Sequence, residues 1–424
     1  MVARSVVVIG GGTGGTLVAN RLRRVLDTGD EIVVIDADDR HLYQPGLLFV
    51  PFGLSSPSRL VRSRAAQLRA GIEFRQARVD QVDLDADRVI LADGTRVPYD
   101  ALVVASGAQL LPEETEGLTG EGWGERVHTF YSLPGASTLA GALAGFDGGR
   151  LVVDLVDLPV KCPVAPLEFC FLADWYLRRR GVRDRVELTY VTSLDAAFTK
   201  ATCNRELSGL LERKGVEVVT EFATGHVDGK GGRLVGYDDR QVGFDLAVVV
   251  PLHGGADYVG RSAGLGDALG FVPTDEATLA AKVKPNVFVI GDATDLRASK
   301  AGSVAHFEGE VLVHNLRRHL AGQEPDARFD GHTNCFIETG FDKALLIDFN
   351  YDLDPVPGRF PSRVGLPLLR ESRLNHLGKL AFEQLYWHAI LPGRGIPFVG
   401  TEMPRVGKRM DLAESTPELT GGTR

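Results

Sequence analysis

An apolar run at the start of the chain, Ser5-Val-Val-Val-Ile9, predicts a buried strand. It enters Gly10-Gly-Gly-Thr-Gly-Gly15, continues as a helical stretch to about Arg24, and returns as a second apolar strand, Glu31-Ile-Val-Val-Ile-Asp36. The next segment, His41-Leu-Tyr-Gln-Pro-Gly-Leu-Leu-Phe-Val-Pro-Phe-Gly53, is too rich in Pro and Gly for a regular element. It predicts a loop that brings apolar and aromatic groups to a ligand. Residues 57–70 are expected to be helical, and residues 72–104 alternate as short strands with a turn at Asp93-Gly94. Asp100-Ala-Leu-Val-Val-Ala-Ser-Gly-Ala108 reads as a buried strand ending in a small-residue turn, suited to close passage beside a bound molecule.

Residues 109–149, with many Gly, Pro and acidic positions, predict a crossing into a second domain. That domain runs through a strand at 150–156, a helix at about 166–180, a strand at 185–192, a helix at 203–214 and further strands to about Pro251. Such alternation predicts a parallel sheet, and its recurrence in both halves suggests a duplicated architecture. Near Lys284-Pro-Asn-Val-Phe-Val-Ile-Gly-Asp-Ala293 another strand ends in Gly-Asp, and a helix from about Val304 to Leu320 returns the chain to the first domain. Residues 331–351 suggest a hairpin and 375–391 an aromatic-rich helix, while the polar tail from about Asp411 is expected to be disordered.

Gly10, Gly12 and Gly15 form G-x-G-x-x-G between a strand and a helix. The first glycine permits the tight turn, the second lets backbone N–H groups approach a pyrophosphate, and the third lets helix pack on strand. Asp36 follows at about 20 residues, the spacing of a carboxylate that binds ribose hydroxyls. Alone the motif is weak; strand, loop, helix, strand and acid in register make it a strong dinucleotide signature. A reductase that binds two dinucleotides needs a second such loop near residues 150–168. This chain has Pro159-Val-Lys-Cys162-Pro163 there, so the predicted electron donor is not NAD(P)H.

The 424 residues, 44% hydrophobic and 24% charged, fit two to three soluble domains. A formal charge of −9 argues against a nucleic-acid partner and against purely electrostatic attachment to anionic lipid. No apolar run reaches the roughly 18 residues of a spanning helix, and the first strand leaves no room for a signal peptide. The cytoplasmic face of a membrane, or the cytosol, is the expected location. Cys162, Cys170, Cys203 and Cys335 lack the spacing of a disulfide framework or a zinc site, so no metal is expected and redox chemistry is left open.

Several of these segments together resemble the flavin disulfide reductase superfamily, and within it the sulfide:quinone oxidoreductases and flavocytochrome c sulfide dehydrogenases. The specific pieces are the loop 41–53, Lys161-Cys-Pro-Val-Ala-Pro-Leu-Glu168, Gly291-Asp-Ala-Thr with Ser299-Lys-Ala-Gly302, Asn334-Cys-Phe-Ile-Glu-Thr-Gly340, and 375–394. The resemblance implies an α/β fold of two Rossmann-like dinucleotide-binding domains plus a C-terminal membrane- and quinone-associated region. The expected boundaries are 1–110 and 263–330 for the FAD domain, 111–262 for the second domain, 331–410 for the C-terminal region and 411–424 for the tail.

It further implies FAD, a quinone acceptor, and Cys162 and Cys335 as a redox pair. FAD would be non-covalent, since 41–46 contains no cysteine. Sulfide would attack a Cys162–Cys335 disulfide or sulfur-bridged pair, leaving a persulfide and a thiolate that passes electrons to the flavin. Glu168, near the start of its helix, either exchanges protons with sulfur or is favourable first-turn charge. The expected cofactor residues are Gly10, Gly12, Gly15, Asp36, Gln44, Gly107, Gly291, Asp292 and Lys300. Lys300 would stabilise the reduced flavin or is a solvated loop lysine. Phe336, Tyr386 and Trp387 are the expected quinone contacts, with Lys379 and Arg394 near lipid headgroups; the alternative is that this aromatic helix simply packs on the domain or on a dimer partner. Cys170 is expected to be a buried structural thiol, and Cys203, at the start of a helix, either a reactive thiol or a bland surface or core residue, the latter favoured. A homo-oligomer is compatible with the chain. The competing readings are a type II NADH:quinone reductase and a non-catalytic flavin redox sensor.

Overall fold

The computed structural model describes residues 3–396 and 399–412. Two five-stranded parallel sheets organise the chain. The first runs, edge to edge, Glu73–Gln76, Glu31–Asp36, Ser5–Ile9, Ala101–Val104, Val287–Val289. Its central strands are apolar because both faces are covered, one by the helices Thr13–Val25 and Gly302–Leu320 and the other by an antiparallel ribbon. The second repeats that plan: Val216–Val219, Val186–Thr192, Gly149–Leu155, Leu246–Val250, Val127–His128. Each sheet has its own three-stranded antiparallel ribbon inserted in the chain before its later strands, 79–98 in the first half and 224–243 in the second. The duplication inferred from the sequence is therefore present in topology.

Most predicted elements lie within a few residues of their expected bounds: Thr13–Val25, Ala165–Arg179, Ala201–Arg213 and Gly302–Leu320 are helices, and Thr333–Gly340 pairs with Lys343–Phe349 as a hairpin. Residues 57–70 differ. They form two short 3-10 turns, Pro57–Leu60 and Ala65–Gln67, flanking Val61–Arg62, which pairs with His41–Leu42. That pairing takes the backbone donors a helix would need and brings Arg64 to Asp36 at 3.1 Å. A helix at Leu133–Gly145, capped by Ser132 and opened by Pro134, lies inside the expected crossing segment.

The return to the first domain comes earlier than residue 263. The short helix Asp257–Arg261 packs on the first ribbon, where the Ser262 hydroxyl accepts the Val82 N–H at 2.8 Å. The C-terminal helix Arg373–Leu385 lies on the hairpin 333–349 and continues as a wider turn over Tyr386–Ile390. Residues 399–412 then lie back along this region, and Lys408 forms a buried ion pair with Asp348, whose other oxygen meets His332 at 2.9 Å. The tail expected to be disordered falls, from residue 413 onward, outside the described residues.

Candidate functional site

A cavity of about 400 Å³ runs from the glycine loop to the hairpin. At one end the loop behaves as its sequence predicts. Gly10 has φ +98°, and a Cβ on it would meet the Ala105 carbonyl at 2.4 Å; a Cβ on Gly15 would sit 1.8 Å from the Gly10 oxygen. Gly12 differs: a Cβ there would meet nothing within 4 Å, and Gly12 lines the cavity. Gly12 also begins the helix Thr13–Val25 without a side-chain cap and without an acidic residue in the first turn. Its free N–H groups and positive dipole end face a space suited to an anion. The Asp36 carboxylate accepts the Gly11 N–H at 2.7 Å and lines the same end.

The helix Gly302–Leu320 begins the same way, uncapped and with no first-turn acid; Gly302 and Ser303 line the cavity, Gly302 beside Thr13 and Ser303 donating to the Asn334 carbonyl next to Cys335. A second positive helix terminus therefore faces the cysteines. Cys162 occupies the left-handed region at φ +50°. It is held there by three backbone bonds: its N–H to the Lys300 carbonyl (2.8 Å), and its carbonyl to the Ala165 N–H (2.9 Å) and the Tyr131 hydroxyl (3.1 Å). The conformation is one that a non-glycine residue keeps only when its surroundings hold it. Cys335 comes to the same cavity from the hairpin, and both are free thiols.

Burial pushes both thiols up, Cys335 to about 12 and Cys162 further; the charge of Glu168 adds to the rise and Lys379 opposes it. Glu168 is 2% exposed. Its Oε1 accepts the Glu338 N–H at 2.6 Å and pairs with the Lys379 ammonium. Burial lifts the Glu168 carboxyl above the usual carboxylate range despite Lys379. Burial disfavours charge on Lys379, but Glu168 and Glu338 outweigh it and hold the ammonium above its ordinary value. The result is a paired acid and base beside two protonated thiols.

Among the expected cofactor residues, Gly10, Gly12, Asp36, Gln44, Gly107, Gly291, Asp292 and Lys300 line the cavity, and Gly15 packs behind it. The Lys300 ammonium is anchored on the Asp292 and Thr294 carbonyls (3.0 and 2.7 Å), so it is neither solvated nor free-swinging. Lys161, singled out only as a neighbour of Cys162, also lines the cavity, and burial lowers its pKa against the pull of Asp292. Cys170 and Cys203 are buried in the core and do not line the cavity, although Cys203 is near enough to Cys335 to add to the rise of its pKa.

The C-terminal placements need correction. Phe336 and Tyr386 line the cavity, but Trp387 does not: it is 2% exposed, packed on His41 and Tyr43 beneath the Arg62 guanidinium. Lys379 faces Glu168, not headgroups. The Tyr386 hydroxyl joins His41 Nε2 (2.7 Å) and Thr13 Oγ1 (2.7 Å). Because His41 Nδ1 faces the Gly11 carbonyl, which can only accept, neutral His41 donates there and Tyr386 donates to Nε2. Burial keeps His41 neutral, with its pKa lowered to about 4. The C-terminal helix is thereby tied to the glycine loop. The exposed apolar residues of this helix are instead Leu374, Leu377 and Leu380.

Residues 4–135 match the family described as pyridine nucleotide-disulphide oxidoreductase. The mitochondrial sulfide:quinone oxidoreductase of Mus musculus is 27% identical over 92% of this chain and 86% of its own length. The chain is similar to the sulfide:quinone oxidoreductases over nearly its whole length. The solved sulfide:quinone oxidoreductase of Aquifex aeolicus shares its fold, with a TM-score of 0.79, 21% identity and 92% of each chain covered. Likeness to the type II NADH:quinone oxidoreductase of Mycobacterium tuberculosis, 37% identical, spans 24% of this chain and 23% of that one. Similarity to the sulfide:quinone oxidoreductases thus embraces both sheets and the C-terminal region.

Proposed function

We propose that the protein is a flavin-dependent enzyme that oxidises sulfide and passes two electrons to a quinone. The observation that carries this reading is the entry of Cys162 and Cys335, from different domains, into the cavity that begins at the dinucleotide loop. The cavity residues fit FAD, bound without a covalent link. Gly12 leaves room at an uncapped helix end, Asp36 is placed for a ribose, and the second uncapped helix favours negative charge near the cysteines. Bound there, the flavin supplies a two-electron acceptor for sulfur and a donor for quinone.

In the oxidised enzyme a Cys162–Cys335 disulfide, or a sulfur-bridged pair, presents the electrophilic sulfur that HS⁻ attacks, leaving a persulfide on one cysteine and a thiolate on the other. Lys379 stabilises that thiolate, while Glu168 takes or returns the proton at sulfur. The raised pKa values keep the reduced thiols protonated, so charge develops only when the pair reacts. Quinone would enter along Phe336, Phe382 and Phe49, which line the cavity beside Lys379. Leu374, Leu377 and Leu380, on the outer face of the same helix, would meet the membrane at its cytoplasmic face; among the described residues no helix is long and apolar enough to cross one. Sulfide-dependent reduction of a soluble quinone by the FAD-loaded protein tests the reading: the activity is expected in the parent and absent in Cys162→Ser and Cys335→Ser.

A further inference from the structure

We infer that Lys161 holds the anionic sulfur substrate, hydrosulfide or a comparably small sulfur anion, against Cys162. The inference rests on the proposed function and names the group that receives its substrate. An anion that leaves water for a largely buried site needs a cation or several hydrogen-bond donors to replace its hydration. Among the described residues four cations line the cavity, Arg64, Lys161, Lys300 and Lys379. Three of them are engaged. Arg64 pairs with Asp36 at 3.1 Å, Lys379 pairs with Glu168, and the Lys300 ammonium sits on the Asp292 and Thr294 carbonyls. Lys161 makes no hydrogen bond or ion pair with any described residue.

Two structural roles would account for such a lysine, and neither fits. A solvated loop lysine keeps its ordinary pKa, whereas burial is the first influence on Lys161 and lowers it. A counter-ion for a buried carboxylate touches its partner, whereas Asp292 attracts the Lys161 ammonium without forming an ion pair with it. The Cys162 thiol is the second group whose charge Lys161 feels, and the two consecutive residues both line the cavity. His253, which feels the Lys161 charge in turn, is kept neutral by burial, its pKa lowered to about 3, so it supplies no second cation there. The Lys161 ammonium is therefore left to complete its charge-assisted hydrogen bonds with a ligand. The sulfur chemistry of Cys162 identifies that ligand as a sulfur anion.

The test uses FAD-loaded protein with its thiols reduced. Alkylation of Cys162 by iodoacetate, an anion, is compared with alkylation by neutral iodoacetamide, each read by peptide mass spectrometry. The ratio of the two rates cancels any change in thiol ionisation and reports the local potential. Lys161→Met and Lys161→Gln are each expected to lower it by about threefold or more, and Lys161→Arg to keep it. Both neutral variants should melt at or above the parent, because they remove a buried charge that has no protein partner. The sulfide concentration that half-saturates the rate of flavin bleaching should rise by about tenfold or more in Lys161→Met, with a smaller change in the limiting rate. An unchanged alkylation ratio or an unchanged half-saturating concentration overturns the inference. So does a melting temperature several degrees lower, or loss of bound FAD, which would assign the ammonium to Asp292 or to the cofactor. If sulfide fails to bleach the parent flavin, the sulfide reading falls while the alkylation ratio still decides whether Lys161 draws anions to Cys162.

Discussion

Gly12 and Gly15 stand three residues apart in one motif, yet alanine at each should fail in a different way. At Gly12 the backbone has φ −74°, which alanine adopts freely, and the new methyl meets nothing within 4 Å. Loss of a glycine N-cap costs some stability, and the stiffer unfolded chain returns about 0.4–1 kcal/mol, so cofactor-free protein should melt close to the parent. The methyl instead occupies space at the helix end where a pyrophosphate must approach the backbone. Overpacking of that kind costs about 1–3 kcal/mol, or roughly 5- to 140-fold in FAD affinity. At Gly15 the methyl would lie 1.8 Å from the Gly10 oxygen, where real contacts begin near 3.0 Å, so the strand–helix crossing must open before any ligand binds. Gly15→Ala should therefore lower the melting temperature of cofactor-free protein by several degrees. Melting curves without FAD, together with quenching of FAD fluorescence on binding, separate the two effects. Parental FAD affinity in Gly12→Ala, or a parental melting temperature in Gly15→Ala, would refute the division of roles.

Glu168→Gln removes a negative charge that helps hold Cys162 and Cys335 protonated, so both thiols should titrate lower. The pH profile of iodoacetamide alkylation should move toward acid and the rate at pH 8 rise; a profile moved toward alkali contradicts the assigned electrostatics. Lys379→Met leaves the Glu168 carboxylate buried without its partner, a loss of about 3–5 kcal/mol when charged. Burial already raises Glu168, and without Lys379 the folded state holds its proton more tightly than the unfolded chain does. The stability deficit should therefore be small in acid and grow as pH rises from the ordinary carboxylate range, read from urea melts at pH 5 and pH 8; a deficit that shrinks with pH is incompatible with that environment. Leu377→Glu and Leu380→Glu change residues 60% and 50% exposed and should weaken binding to lipid vesicles while moving stability by no more than about 0.5 kcal/mol. Unchanged vesicle binding by the double variant would place the membrane face elsewhere.

The glycine loop, Asp36 and the alternation of strands and helices were legible because they are local: each rests on contacts within a few residues or on the period of one element. The helix Leu133–Gly145 was hidden by its small residues and flanking glycines, which read as a crossing segment. Residues 57–70 have a helical composition, but pairing of Val61–Arg62 with His41–Leu42 overrode it. The make-up of the cavity was legible where a motif carried it, as at Cys162, Glu168 and Cys335. It was not where the decisive partner lies far along the chain. Nothing near Lys379 in sequence points to Glu168, 211 residues away, and an amphipathic reading sent that ammonium toward lipid. Tyr386 and Trp387 carried the aromatic signal of an interface, yet burial on His41 and Tyr43 uses them to fasten the helix, and three leucines one face away remain exposed.

Anaerobic titration of the FAD-loaded protein with sulfide, with NADH as a parallel donor, tests the central claim most directly. Sulfide should bleach the visible flavin band in the parent and fail to do so in Cys162→Ser and Cys335→Ser, and a soluble quinone should restore the band. Bleaching by NADH with none by sulfide would contradict the account and would mean that the loop around Cys162 admits a nicotinamide nucleotide.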